Sequence, residues 1–293
     1  MESTNKKVLL AYIDILGYSE YVRVNSNPLE FKIQLEGIFD SVKEQFQRIT
    51  NTNSEEYHIV RDYIHMALAN LEFCMFSDSL IIWLDVDDSV DAFRIPEIAF
   101  KNAEHEKRWV SGITDSIYRF FLQNIAMTVF MLTCETHLLT RGGISFGSFH
   151  SSTFKEINGE YLFSQALIDA VNLERNARMP RIIISDEIHE RLKDSKWMDH
   201  SLIWTDTDGE NVLDIYHFPK FFTGLPEMIE RCFKGHLKTS NKDSFNKIIS
   251  KRLDEYSFEK ESNRNIRDIW NKWHWFKEYH NKRMQEIDKR FVI

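Results

Sequence analysis

Val8-Leu9-Leu10-Ala11-Tyr12-Ile13-Asp14-Ile15-Leu16-Gly17, residues 8–17, governs the reading of the chain. Val8–Ile13 is an apolar run rich in strand formers, and it stops at Asp14-Ile15-Leu16-Gly17. The expectation is a buried strand closed by a tight turn, with the Asp14 carboxyl at the strand end. Downstream, Leu29, Ile33, Leu35, Ile38, Phe39, Val42 and Phe46 recur at helical spacing, which predicts a helix from Pro28 to about Gln47. Leu71–Phe76 and Leu80–Leu84 flank Ser77-Asp78-Ser79, so a β-hairpin with Asp78 at its turn is expected.

The rest of the pattern extends this plan. Asp85-Val86-Asp87-Asp88-Ser89-Val90-Asp91 lacks the central Gly and terminal Glu of a calcium loop and reads as a solvated acidic loop. A buried helix is expected from Thr114 to about His137. After it come a strand at Gly143–Phe149, a hairpin through Asn158-Gly159, a helix at Phe163–Asn176 and a strand at Arg181–Ser185. A helix at Asp186–Leu192 and strands at Leu202–Trp204 and Val212–Phe218 follow. This order implies an α+β fold, a ferredoxin-like split βαβ sheet covered by helices. Residues 226–292 contain no strand-like run, so a boundary is expected near 220, with a helical C-terminal extension over residues 220–293. Within it, Trp270, Trp273, Trp275, Phe276, Ile269 and Ile287 lie among charges, as on a helix packed against the body or a partner.

Composition bounds the function. The chain has 293 residues, 43% hydrophobic and 28% charged, with a net charge of −8. Residues 220–293 carry 17 Lys and Arg against 11 Asp and Glu, which leaves the first 219 residues at −14. Such an acidic body would repel nucleic-acid backbone, so a polyanionic substrate there would need metal ions or local arginines. Cys74, Cys134 and Cys232 are dispersed without CxxC spacing, which argues against disulfides and a zinc cluster and points to the cytoplasm. No uninterrupted apolar window of about 18 residues and no signal-peptide pattern is read. Neither nucleic acid nor membrane is expected as a partner.

Asp14 and Asp78 stand where chemistry would need them, on strands that lie side by side in a split βαβ sheet. Two carboxylates at neighbouring strand ends can share divalent ions that clamp a triphosphate. Gly17-Tyr18-Ser19 then opens a helix, whose backbone N–H groups can receive phosphate oxygens. Gly143-Ile144-Ser145-Phe146-Gly147 matches a hydrolase nucleophile elbow, but the following polar stretch leads to a hairpin rather than a helix.

On these residues the chain resembles the class III nucleotidyl cyclases. Tyr12–Ser19 looks like their first metal motif and Phe76-Ser77-Asp78-Ser79-Leu80 like the second. Arg141–Gly147 resembles the strand after their central helix, and Leu173-Glu174 through Ser185 resembles the closing helix and strand. The match spans about residues 8–218. It implies two Mg²⁺ or Mn²⁺ ions per site held by Asp14, Asp78 and the Ile15 carbonyl, a triphosphate substrate, and a homodimer with sites at the interface. The purine-reading lysine and aspartate of such cyclases are replaced by Cys74 and Tyr161, and their transition-state Asn and Arg fall on Ile168 and Asn172. Arg175 and Arg178, on the helix of Asn172, are candidates for the missing arginine, as are Arg141 and Arg181.

The combination looks most like the bacterial Pycsar cyclases. That resemblance implies cyclisation of UTP or CTP to 3′,5′-cyclic UMP or CMP, a signal for a separate antiphage effector protein. Asp14, Asp78, Asn172 and Arg175 would then be catalytic. Gly17, Tyr18, Ser19, Cys74, Ser77, Arg141, Tyr161 and Arg178 would bind substrate. The second reading is a catalytically inactive nucleotide-binding or interaction module of the same fold.

Overall fold

The fold is built around strand β1 (Lys6–Leu16), whose residues Val8–Ala11 are buried on both faces. Leu9, Ala11, Ile13 and Ile15 point into the main core, while Val8 and Leu10 join a second cluster with Phe149, Ala166 and Ala170 on the opposite face. This alternation, with helices on both sides, makes a strand read as a continuous apolar run. The computed structural model describes residues 6–25, 28–50, 71–92, 103–154, 159–195, 201–217, 245–257 and 263–287, together with 260, 289, 292 and 293.

After β1 come α1 (Tyr18–Asn25) and α2 (Pro28–Thr50), then the hairpin β2 (Leu71–Phe76) and β3 (Ser79–Asp85). Helices α3 (Val86–Ala92) and α4 (Ala103–Thr136) lead to the hairpin β4 (Leu139–Phe154) and β5 (Gly159–Ser164). The body closes with α5 (Gln165–Asn176), β6 (Ile182–Ile184), α6 (Asp186–Leu192), β7 (Ile203–Thr205) and β8 (Asn211–Leu213), followed by α7 (Phe245–Ser257) and α8 (Arg264–Ile287). The sheet runs β2-β3-β1-β4-β6-β8-β7, with β5 paired to β4. β1 is antiparallel to β3 and β4, and β6 is parallel to β4. This is the expected α+β, split βαβ arrangement, and the helical C-terminal segment is present.

The elements depart from expectation chiefly in length. β4 starts four residues earlier than read, because Gly142 and Gly143 continue the ladder opposite Ile13 and Tyr12. β8 ends at Leu213, where the buried Asp214 takes over with side-chain bonds. Phe218 and the segment to residue 244 lie outside the described residues, as does Asn158 of the β4–β5 connection.

The acidic segment after β3 is a helix, not a solvated loop. The Asp85 carboxylate accepts from the Asp88 N–H at 2.9 Å and so caps α3, while Lys6 Nζ pairs with Asp85 and Asp88, each at 2.9 Å. Val86 and Val90 turn inward, and Asp87 and Asp88 sit in the first turn, where the helix dipole favours them. Helix α4 passes through the core. Residues 106–136 are long and apolar enough to cross a membrane by length and composition, and 89% of the most apolar window is buried within the protein.

Candidate functional site

The site forms at one end of the central strands. Asp14 lies opposite Ser79 of β3 and Arg141 of β4, on the β1 face that carries Tyr12. Asp78 occupies the two-residue turn Ser77-Asp78 of the β2–β3 hairpin, with Ser77 at φ 57, a left-handed conformation uncommon for a residue with a side chain. The Ile15 N–H donates to the Asp78 carbonyl at 2.9 Å, and the Tyr12 hydroxyl meets Ser79 Oγ at 2.6 Å. These two bonds fasten the turn to β1, so the second carboxylate is held beside the first.

Charge is concentrated here. Arg141 Nε donates to Asp14 Oδ2 at 3.1 Å and lies 2.5 Å from Glu174 Oε1, a buried carboxylate on the sheet-facing side of α5. Burial raises the Asp14 carboxyl above its ordinary range and the negative charge of Asp78 adds to this, while Arg141 and Lys272 of α8 oppose it. Glu174 is likewise raised by burial, against Arg141. The Lys272 ammonium is lowered, by burial first and by Arg141 next.

Among the described residues no group of three or more His, Cys, Asp or Glu side chains could hold a metal ion. What the site offers is a pair of hard carboxylates whose mutual repulsion a divalent cation would relieve. Such an ion would draw its remaining ligands from a backbone carbonyl, water or a bound phosphate.

The other expected residues fall into three groups. Gly17 adopts φ 84 and leads into the eight-residue α1, where the Tyr18 ring meets Phe31 edge-on at 4.9 Å and so serves packing; Ser19 is exposed. Ser77 is exposed in the turn beside Asp78. Cys74 is exposed on β2 in the cross-strand row Cys74–Ile81–Tyr12, next to the row Phe76–Ser79–Asp14, a step of about 7 Å along the strands.

Asn172 and Arg175 are exposed on α5 and Arg178 follows it at φ 41. Asn172 lines a cleft of ≈ 280 Å³ with Asp169, Ser185, Asp186 and Glu187, a lining that includes neither aspartate of the pair. Arg175 is close enough for its charge to act on Glu174. Arg181 is buried and committed to Asp206 and Asp208. Tyr161 sits in β5 opposite Ser152, and its side chain lies outside the described residues. Ser145, the serine of the G-x-S-x-G match, is buried in mid-strand and donates to the Ala166 carbonyl at 2.5 Å, so it is no nucleophile elbow.

Two residues of the cluster were not singled out from the sequence, Glu174 and Lys272. Glu174 had a signal: it continues the buried stripe Ala166, Ala170, Glu174 at four-residue spacing, where a carboxylate requires a partner.

No family model and no curated protein matches the chain. Solved structures with a similar chain path include the adenylyl cyclase CyaB from P. aeruginosa, at 13% identity over 73% of this chain and 97% of that one, with a TM-score of 0.35. The monomeric guanylyl cyclase domain of the RhoGC fusion protein from Blastocladiella emersonii is 12% identical over 72% and 96%, with a TM-score of 0.37. The guanylate cyclase domain of RhGC from Catenaria anguillulae, solved with GTP, is 12% identical over 71% and 93%, with a TM-score of 0.36. At such identities and TM-scores the likeness carries no inference about activity.

Proposed function

We propose that this protein is a metal-dependent nucleotidyl cyclase that converts UTP or CTP to the 3′,5′-cyclic monophosphate and pyrophosphate. One observation carries the reading: Asp14 near the end of β1 and Asp78 in the β2–β3 turn, whose carbonyl accepts from the Ile15 N–H at 2.9 Å, stand at one end of a sheet whose face beside them stays open, with Cys74 exposed and Phe76 77% exposed. The order of strands and helices is also the order that the cyclase resemblance implies. Asp14, Asp78 and the Ile15 carbonyl would hold Mg²⁺ or Mn²⁺. When bound, the metal supplies charge neutralisation for the triphosphate and acidifies the ribose 3′-hydroxyl.

The residues of the chain do the rest. The 3′-oxygen forms a bond to the α-phosphorus as the bond to the pyrophosphate oxygen breaks, and the hydroxyl proton leaves to solvent. Arg141, anchored by Glu174, keeps the Asp14 carboxylate turned toward the site. N–H groups at Gly17, Tyr18 and Ser19 receive phosphate oxygens. Cys74 leaves space for a base beside Tyr12, whereas Tyr161, opposite Ser152 and eleven residues along β4 from Arg141, would reach that base only from a second copy of the chain. Arg175 or Arg178, with Asn172, is assigned to the charge that develops on the phosphates. Asn172 lines a cleft that includes neither aspartate, which a homodimer would accommodate by bringing these α5 groups across the interface, and the exposed Phe76 and Cys74 offer that second copy its surface. The product would act on a separate antiphage effector.

The test is incubation of the full-length protein with each of the four ribonucleoside triphosphates and Mn²⁺, followed by mass spectrometry. Cyclic UMP or cyclic CMP and pyrophosphate are expected. Pyrophosphate release from none of the four would leave the inactive-module reading in place.

A further inference from the structure

A single N–H stands between two carboxylates at the candidate site. Arg141, opposite Asp14 in the β1–β4 ladder, donates its Nε–H to Asp14 Oδ2 at 3.1 Å. Glu174 Oε1 lies closer to the same nitrogen, at 2.5 Å, yet this buried oxygen accepts no hydrogen bond among the described residues. One proton cannot point at both acceptors, so Glu174 has an ion pair with Arg141 while its acceptor goes unused. A buried carboxylate oxygen without a donor is costly unless a donor can turn to it.

The two carboxylates are held by their elements. Gly143, two residues after Arg141, lies so close under α5 that a Cβ there would stand 2.2 Å from the Ala170 carbonyl oxygen, and Glu174 follows Ala170 by four residues on the same buried stripe. Asp14 sits in the central strand between Ser79 and Arg141. The long Arg141 side chain is the part with freedom to change its acceptor.

We infer that Glu174 is a positioning residue that draws the Arg141 Nε–H off Asp14 and so sets the affinity of Asp14 for a divalent cation. The bond to Arg141 turns the Asp14 carboxylate toward the site, but it also occupies Oδ2 and puts a positive charge beside it, which opposes a second cation. Once the Asp14 carboxylate is given to a cation, the N–H turns to Glu174 Oε1: one hydrogen bond replaces another, and the guanidinium keeps a charge partner. With Gln at 174 the acceptor is uncharged and weaker, and Arg141 stays on Asp14. The inference rests on the metal-dependent reading above and adds to it what regulates the metal ligand.

The probe is Mn²⁺ alone, titrated into the full-length protein and followed by the electron paramagnetic resonance of the free ion. Asp14→Asn is expected to remove the binding event and so identifies the site. Glu174→Gln is expected to weaken Mn²⁺ binding about tenfold, as removal of a group that supports a metal ligand does. In an Arg141→Met background the same change is expected to cost less than about twofold, since no N–H remains to be moved and only the Coulomb attraction of Glu174 is lost. Glu174→Asp, which keeps the charge but withdraws it by one methylene, is expected to fall between wild type and Glu174→Gln, and it carries the comparison if thermal unfolding shows that Glu174→Gln does not fold. An equal loss in both backgrounds, or none in either, overturns the inference and leaves the cyclase reading standing. Absence of any Mn²⁺ binding that depends on Asp14 overturns both. Arg141-dependent weakening in a protein that cyclises none of the four nucleotides would overturn the cyclase reading and leave this one standing.

Discussion

At the level of single residues, the informative feature is a carboxylate retained where it is costly. Asp14 is 18% exposed at its side chain and burial is the leading cause of its raised pKa, with Asp78 reinforcing it. A carboxyl raised in the folded state favours folding while it is protonated, below the ordinary carboxylate range, and that contribution is lost as pH rises through the raised value. Asp14→Asn is therefore expected to raise the unfolding midpoint at pH 7 by roughly 2–4 °C, the shift that about 1 kcal/mol produces at this size. The gain should shrink as pH is lowered into the carboxylate range. Calorimetric scans between pH 4 and 8 would check it, and a gain that grows toward acid would contradict it. In the cyclisation assay the same variant, and Asp78→Asn, are expected to lose at least 100-fold in turnover. The aspartates were legible because each interrupts an apolar run at a strand end. Lys272 was not, because nothing in its local helix pattern tells which distant charges act on it.

At the level of elements, the glycine pair Gly142-Gly143 shows why a motif could be read without its cause being visible. A Cβ on Gly143 would stand 2.2 Å from the Ala170 carbonyl oxygen and 2.5 Å from Leu173 Cβ, and one on Gly142 would stand 2.4 Å from the Tyr12 carbonyl oxygen. Helix α5 can thus lie close on β4 only where the strand has no side chain, and that contact puts Glu174 within reach of Arg141. Gly143→Ala is expected to destabilise the protein by about 3 kcal/mol and to weaken the Arg141–Glu174 pair with it. Gly37→Ala makes the same chemical change in exposed, open space on α2 and is expected to stabilise by about 0.5–1 kcal/mol, through helix propensity alone. Urea denaturation of both variants checks the opposite signs. Helix α3 teaches the converse. Its acidic composition suggested solvent, but its cap and its Lys6 partner come from β3 and β1, contacts that composition does not encode.

At the level of the whole molecule, the C-terminal helix is part of the body's core, although composition marks it as a separate segment. Burial of side chains such as Trp273, Phe276, Tyr279 and Met284 is worth about 1.5–3 kcal/mol each, so their sum is of the order of a domain's entire net stability. The polar end of the contact is equally committed. Asp214 is fully buried, accepts from the Tyr216 N–H at 3.1 Å and the Tyr279 hydroxyl at 2.7 Å, and pairs with Arg283, which is itself only 12% exposed. Asp214→Ala would leave the Arg283 charge and the Tyr279 hydroxyl without their acceptor, at a cost of about 3–5 kcal/mol. Replacing Asp214 and Arg283 together, as Leu and Met, removes both charges and is expected to cost less than Asp214→Ala alone, because no unpaired ion remains. Denaturant midpoints of the single and double variants measure this. If the double variant were the less stable of the two, the ion pair itself, rather than the absence of an orphaned charge, would be what fastens α8 to the sheet.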